Sequence, residues 1–332
     1  MPSADVRMGV PLIRFPTLFP GQMGVPGSDT ERGLRTHVTG TVFYVDPNYV
    51  DNDDRRDGTD PEAPLTTVAA ALTKCEAYRG DVILVMANGA WTYAGPNDYD
   101  TAIRESVIVT VPGVRIIGVA PFSPIGMPWM AALADGWCIT VQACDVSIEG
   151  FGFVGIPMAG DSNGIMVEWG GLVYGDNVIV RNCYFSEDVD TAIQLEYVWH
   201  GLIEACEFDR CDTGIYLDPA GDAADYCEIR NNIFRDCVVG AVWAPGLSHS
   251  QVHHNSVFNS NAQGAGAATD EGIITTDGAL AVGAANMVYE NWLSCLLPVP
   301  AVGDYNDLCS ASPTDAWINN HCMDGPTVTN PT

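Results

Sequence analysis

The chain has 332 residues, 47% of them hydrophobic, with 42 acidic against 14 basic side chains and a net charge of −28. That balance speaks against nucleic acid and anionic membrane surfaces as partners, since both need a basic face. No apolar run is long enough to cross a bilayer. The 11 cysteines are odd in number, and no pair has the tight spacing of a zinc site.

Residues 1–40 do not read as the start of a globular domain. MGVP occurs at Met8–Pro11 and again at Met23–Pro26, with Ile13, Phe15, Leu18 and Phe19 between them. Prolines every few residues break a regular helix and favour an extended path. The stretch is too apolar for a solvated tail and too interrupted by prolines and Arg14 for a signal peptide. It is expected to be an anchoring arm. Ile13, Phe15, Leu18 and Phe19 would dock it on a sister subunit of a homotrimer or on a capsid or tail protein.

Residues 41–80 carry the first regular structure. Phe43–Val45 reads as a strand, and Asp46–Asp60 as an acidic loop. Asp51, Asp53, Asp54 and Asp57 fail the EF-hand spacing, so that loop reads as a solvated turn. Thr66 and Thr67 cap a helix predicted over Val68–Tyr78, and Val82–Met86 is an apolar strand. FYVDP (43–47), DG (57–58), PLTTVAAAL (64–72) and GDVILV (80–85) come in that order. The series resembles the opening segment of right-handed parallel β-helix proteins of the pectate-lyase-like superfamily, phage tailspikes included. The resemblance covers about Val42 to Leu297. It implies that the strand and helix plug the N-terminal end of a solenoid. Its implication for function is broad, because that superfamily holds lyases, hydrolases, epimerases and virion parts without enzymatic activity.

Val107–Val111 and Val114–Val119 read as early strands, and Pro121–Trp129 as a surface loop. The repeat then becomes plain. VIVRNCYF (178–185), GLIEACEF (201–208), EIRNNIF (228–234) and QVHHNSVF (251–258) end on phenylalanines 23, 26 and 24 residues apart. A strand repeat of this period, with no helix inside it, predicts a β-solenoid. Val180, Ile203 and Ile229 stand five residues before their phenylalanines. Val252 is one residue out of step, which predicts a bulge. Cys183, Cys206, Asn232 and Ser256 stand two residues before Phe. The cysteines read as a ladder of small buried thiols, with Cys183/Cys206 and Cys211/Cys237 close enough to bridge. Asn near a corner tolerates the left-handed backbone and can bond the next coil. Asn259–Asp270 reads as an insertion and 298–332 as an irregular cover. The fold expected is all-β: a right-handed parallel β-helix of about seven or eight coils over 81–297. A 41–80 strand and capping helix and the 1–40 arm precede it.

On the strands AIQL (192–195) and GIYL (214–217), Ile165, Ile193 and Ile215 point inward. Glu168, Glu196 and Asp218 then point outward on successive coils, about 5 Å apart. Trp169, Tyr197, Trp199 and Tyr216 lie beside them. Carboxylates flanked by aromatic faces suit sugar binding and glycosidic cleavage; the competing reading is a solvated face on an acidic protein. No Arg or Lys shares the column, which argues against a lyase needing a basic proton abstractor. Arg181, Arg210, Arg230 and Arg235 are expected to pair with local acids. His253 and His254, adjacent on a strand, are expected on opposite faces and not on one metal. No cofactor is expected, although a divalent cation is compatible with the charge.

The leading expectation is a virion-associated structural protein, a tailspike, fibre or capsid decoration that also binds surface glycans. It would be made in a reducing cytoplasm and displayed on the virion surface. The alternative is a polysaccharide-active enzyme, a glycoside hydrolase or a lyase, acting through the carboxylate column and secreted without a signal peptide of the usual kind.

Overall fold

The computed structural model describes residues 40–49, 54–87, 102–119, 126–155, 161–169, 175–186, 188–217, 224–237, 239–244, 246–258, 271–274, 285–294, 309–310 and 315–322. Its strands fall into sheets of ten, eight and nine strands plus one of two, and neighbouring strands run parallel. One coil shows the plan. Thr191–Leu195 lies in the eight-stranded sheet, Leu202–Glu204 in the ten-stranded sheet and Glu207–Asp209 in the nine-stranded sheet. Thr213–Leu217 then returns beside Thr191–Leu195, with Ile193 opposite Ile215 and Leu195 opposite Leu217. No single coil could bury its own apolar face. Stacking coils turns those faces into one core.

Core columns run along the solenoid. Ile139, Ile165, Ile193, Ile215, Val242 and Ile273 are in register and fully buried. Phe153, Phe185, Phe208 and Phe234 stack with ring centroids 4.9, 4.9 and 4.4 Å apart. Each such pair adds about 0.5–1.5 kcal/mol beyond its buried area. The column continues through Val257, which pairs with Phe234, while Phe258 pairs with Arg235 on the outward side. Val252 pairs with Ile229 in step. The bulge expected there is therefore absent: the repeat holds its period, and its fourth line carries Val where the others carry Phe.

With that register, the corner between the ten- and nine-stranded sheets reads Cys183, Cys206, Asn232, Asn255, Asn291, Asn320. Asn255, not Ser256, fills the position. Asn255 Oδ1 accepts from the Asn232 amide and from Asn232 Nδ2, both at 3.0 Å. Its own Nδ2 donates to the Ile229 carbonyl and to Asn291 Oδ1, and Asn291 and Asn320 repeat the pattern. Cys206 fills the same position with a weaker thiol contact to the Val180 carbonyl at 3.8 Å. Cys183, Cys206, Cys211 and Cys237 are all buried free thiols. Burial pushes Cys227 and Cys237 up to about 12, so they stay protonated.

Three segments differ from expectation. The helix spans only Val68–Leu72, because Thr73 and the residues beyond it turn towards Asp81. Its first amides are bonded by the Glu105 carboxylate, and Asp54 binds Thr66 and Thr67, so Asp54 is a structural clamp rather than a solvated turn residue. Trp129 belongs to a buried strand, Trp129–Ala131, not to a surface loop. Residues 298–332 are not only a cover: Cys309–Ser310, Ala316–Ile318 and His321–Cys322 extend all three sheets. The tallest sheet accordingly stacks ten strands. The arm, with Ile13, Phe15, Leu18 and Phe19, and the insertion 259–270 lie outside the described residues.

The outer face of the ten-stranded sheet carries an ion-pair ladder. Glu149 bonds Arg115 at 3.0 Å and Arg181 at 2.9 Å, and Arg230 bonds Glu204 at 2.7 Å and Glu228 at 2.9 Å. Arg235 pairs with Glu207, and Arg210 lies 3.5 Å from Asp209. The arginines thus pair with local acids as expected. Burial alone would raise the Glu149 carboxyl. Arg115, Arg181 and the Ser147 hydroxyl outweigh it and hold the group below its ordinary value.

Two outcomes follow from these ladders. Asn255→Ala leaves a buried amide and carbonyl unbonded and is expected to cost about 2–4 kcal/mol in urea unfolding, whereas Ser256→Ala changes stability by less than about 0.5 kcal/mol. Because the Glu149 carboxyl is depressed in the folded state, its contribution is present above the unfolded value and lost as pH falls through the folded one. Glu149→Gln is therefore expected to destabilise by about 3–5 kcal/mol at pH 7. The gap from the parent should shrink in the same titration at pH 3.

Candidate functional site

The outer face of the eight-stranded sheet is built differently. Strand alternation sends Thr140, Met166, Gln194, Tyr216 and Trp243 outward, each in register with the next. Two residues further along each coil stand Gln142, Glu168 and Glu196. The Glu168 amide donates to the Val141 carbonyl at 3.0 Å and the Glu196 amide to the Val167 carbonyl at 2.7 Å. The parallel register thus continues to these residues and sets the two glutamates one coil apart, about 4.8 Å along the axis. Gln142 Nε2 donates to Glu168 Oε1 at 2.6 Å, and Gln194 Nε2 to Glu196 Oε1 at 2.5 Å. A neutral glutamine amide thus bonds each carboxylate.

Aromatic rings border the pair. Trp169 meets Tyr197 edge-on at 5.9 Å and stays 48% exposed, and Trp199 is 46% exposed. Tyr216 meets Trp243 edge-on at 5.7 Å. The fold therefore brings Glu168, Glu196, Trp169 and Tyr197 together on one edge of the sheet. Tyr216 sits in the adjacent column. Trp199 is set off around the corner, where it bridges to Asp225. Asp218 lies outside the described residues.

Gln142, Gln194 and Trp243 were not singled out from sequence. All three were legible in the alternation, since each lies in an outward position of a strand whose inward Ile or Val was recognised. At the other edge of the sheet, burial raises Asp190 and then Asp212. Asp161 adds to the effect on Asp190, and Asp190 and Asp188 add to that on Asp212. Both edges of this face are thus acidic. Among the described residues of the eight-stranded sheet and the corner after it, none is Lys or Arg.

The remaining clusters fit a site less well. His200, Tyr226 and His249 stack on a corner at 5.5 and 5.3 Å, away from the two glutamates. His253 and His254 do not point to opposite faces. His254 adopts a left-handed backbone at φ 55°, which breaks the alternation and sets the two Nδ1 atoms 2.7 Å apart. Among the described residues no group of three or more His, Cys, Asp or Glu side chains forms a metal-ligand set.

The family described as "Right handed beta helix region" matches residues 141–288. A comparison with curated proteins gives no match. Among solved structures, an alginate lyase from Paenibacillus sp. shares 13% identity over 78% of this chain and 85% of its own, with a TM-score of 0.52. A DFA-IIIase variant from Arthrobacter chlorophenolicus shares 14% identity over 84% of this chain and 67% of its own, with a TM-score of 0.54. At these identities the likeness is one of fold. Parallel crossovers stacked in three sheets, the match to the coil region and these two structures lead to one statement: the chain is a right-handed parallel β-helix protein.

Proposed function

We propose that the outer face of the eight-stranded sheet binds a neutral glycan and hydrolyses it through Glu168 and Glu196. The observation that carries this reading is the pair itself: two carboxylates in register on adjacent coils, each oriented by a glutamine amide and bordered by exposed tryptophan. Carboxyl groups about 5–5.5 Å apart suit double displacement, one as nucleophile and the other as acid and then base. Trp169 offers an apolar face for a sugar ring. The alginate lyase that shares the fold acts on alginate, a polyanion. Here both edges of the face are acidic, so a polyuronate would be repelled and a neutral chain favoured.

Glu196→Gln is expected to lower reducing-sugar release by a hundredfold or more while the melting temperature stays within a few degrees, since the side chain is only partly buried and Gln keeps its shape. Trp169→Ala is expected to weaken glycan binding about tenfold. Full turnover in Glu196→Gln and in Glu168→Gln would overturn hydrolysis at this face. Binding with no turnover in the parent protein would reduce the face to a recognition surface.

Residues 1–40 support a second, compatible reading, in which the protein is anchored on a virion surface or within a homotrimer. Its support is in the sequence: the repeated MGVP, whose prolines restrict the backbone and so lower the entropy lost on docking, and the apolar Ile13, Phe15, Leu18 and Phe19. Deleting 1–40 is expected to leave a folded, soluble β-helix that no longer assembles, as read by native mass. A truncated protein of unchanged mass would end this reading.

A further inference from the structure

The outer face of the ten-stranded sheet changes character along its length. One outward column begins with Tyr44, Leu84 and Ile117 in register. It continues through the ladder of Glu149, Arg181, Glu204 and Arg230. It ends on His253, Tyr289 and Ile318. In the neighbouring outward column, Met287 and Ala316 stand beside that end. The face is thus apolar, then charged, then apolar again.

The two apolar ends differ in one respect. Tyr44, Val82, Leu84 and Ile117 form a cluster separate from the core of the solenoid, and none is more than 5% exposed. A single chain therefore covers the first end. At the last end Met287 and Ile318 are 43% and 44% exposed, and Ala316 is exposed beside them. Trp292, around the next corner, is half-exposed as well. A single chain leaves this end open. Ala316–Ile318 is also the final strand of its sheet among the described residues.

An occupant of this patch has to be apolar and has to approach a strongly acidic protein. Glu290 follows Tyr289 and Asp315 precedes Ala316, so carboxylates border the patch. Residues 1–40 meet both conditions. They hold Ile13, Phe15, Leu18 and Phe19. They also carry four arginines, Arg7, Arg14, Arg32 and Arg35, against three acids, Asp5, Asp29 and Glu31, in a chain with 14 basic and 42 acidic side chains. Arg14 stands inside the apolar run, where an acidic border would receive it. Length is sufficient too. The stretch from Phe19 to Gly40 reaches about 70 Å when extended, while a stack of ten strands is about 43 Å tall. An arm leaving the first coil of one copy thus reaches the last coils of another lying alongside.

We propose that Met287, Tyr289, Ala316 and Ile318 form the docking site for the N-terminal arm of a second copy of this chain. The proposal rests on the reading of residues 1–40 as an anchor and names its partner. Phe15 and its apolar neighbours cover the open end, and Arg14 lies towards Glu290 or Asp315. The partner is a second copy because one chain, which covers the first end of the face, leaves the last end exposed.

The test uses the full-length protein carrying the photoreactive p-benzoyl-phenylalanine in place of Phe15. Irradiation is expected to give a product of twice the chain mass, with position 15 joined to a peptide containing Met287 or Ile318. Combining Met287→Glu with Ile318→Glu in the natural sequence is expected to weaken assembly tenfold or more by native mass, since each buried apolar side chain of this size contributes about that factor. The melting temperature should stay within a few degrees, because both side chains are exposed. If the double variant keeps the parent mass while deletion of 1–40 gives a monomer, the arm remains an anchor and this acceptor is wrong. A crosslink from position 15 to its own chain alone would overturn the second copy as partner. A monomeric parent, or a mass unchanged by the deletion, would end both readings.

Discussion

Left-handed residues at the corners are the constraint on which the solenoid depends. Between the ten- and nine-stranded sheets the positions are Asn182, Ala205, Asn231, His254, Glu290 and Asn319, all with φ between 51° and 55°. Each costs about 1–2 kcal/mol for a residue with a side chain. Each also turns its amide onto the next coil, as Ala205 does onto the Arg230 carbonyl and Asn231 onto that of His253. The residue that follows points inward and is Cys or Asn. Asn closes the corner with bonds in both directions along the stack, so the strain recurs only because the ladder offsets it. A corner fixed this way sets the register of every strand after it, and register decides which side chains meet outside.

Outside, the two broad faces have opposite electrical logic. On the ten-stranded sheet, acids alternate with arginines from coil to coil, and the charges neutralise one another while nearly buried. Such a ladder is saturated: a ligand would have to break an ion pair to bind it. On the eight-stranded sheet the carboxylates meet glutamine amides instead. Aromatic surface remains exposed beside them. The same repeat thus produces one face suited to stability and one suited to a ligand.

Much of this was legible in the sequence, and the failures have physical causes. The inward columns were readable because period-two alternation and the repeat agree over 178–234. The fourth line was misaligned because Phe258 was matched by residue type, whereas the fold keeps spacing and lets Val257 take the ring's place. The final coil at 309–322 was missed because its strands are only two or three residues long, too short to show alternation. The positions of Glu168 and Glu196 on the coils could be read because they follow from strand parity and the parallel register. His254 was placed on the wrong side because parity fails at a left-handed corner, and nothing in His-His itself announces one. Asn at that corner in neighbouring lines, Asn182 and Asn231, was the available signal.

That corner column also explains why His254 and Glu290 meet. Left-handed residues on successive coils point the same way, so whatever occupies the position stacks at the interval between coils. Where the occupants are Asn, Ala or Arg-adjacent turns, the column is inert. At two consecutive coils it holds His254 and Glu290, and His254 Nε2 lies 2.6 Å from Glu290 Oε2. His253, fixed one residue earlier by the regular strand, then meets His254 because the corner has turned the second ring back towards the first. Replacing either residue by Asn would restore the ordinary corner without disturbing the fold, which makes the pair a feature added to the solenoid rather than one it needs.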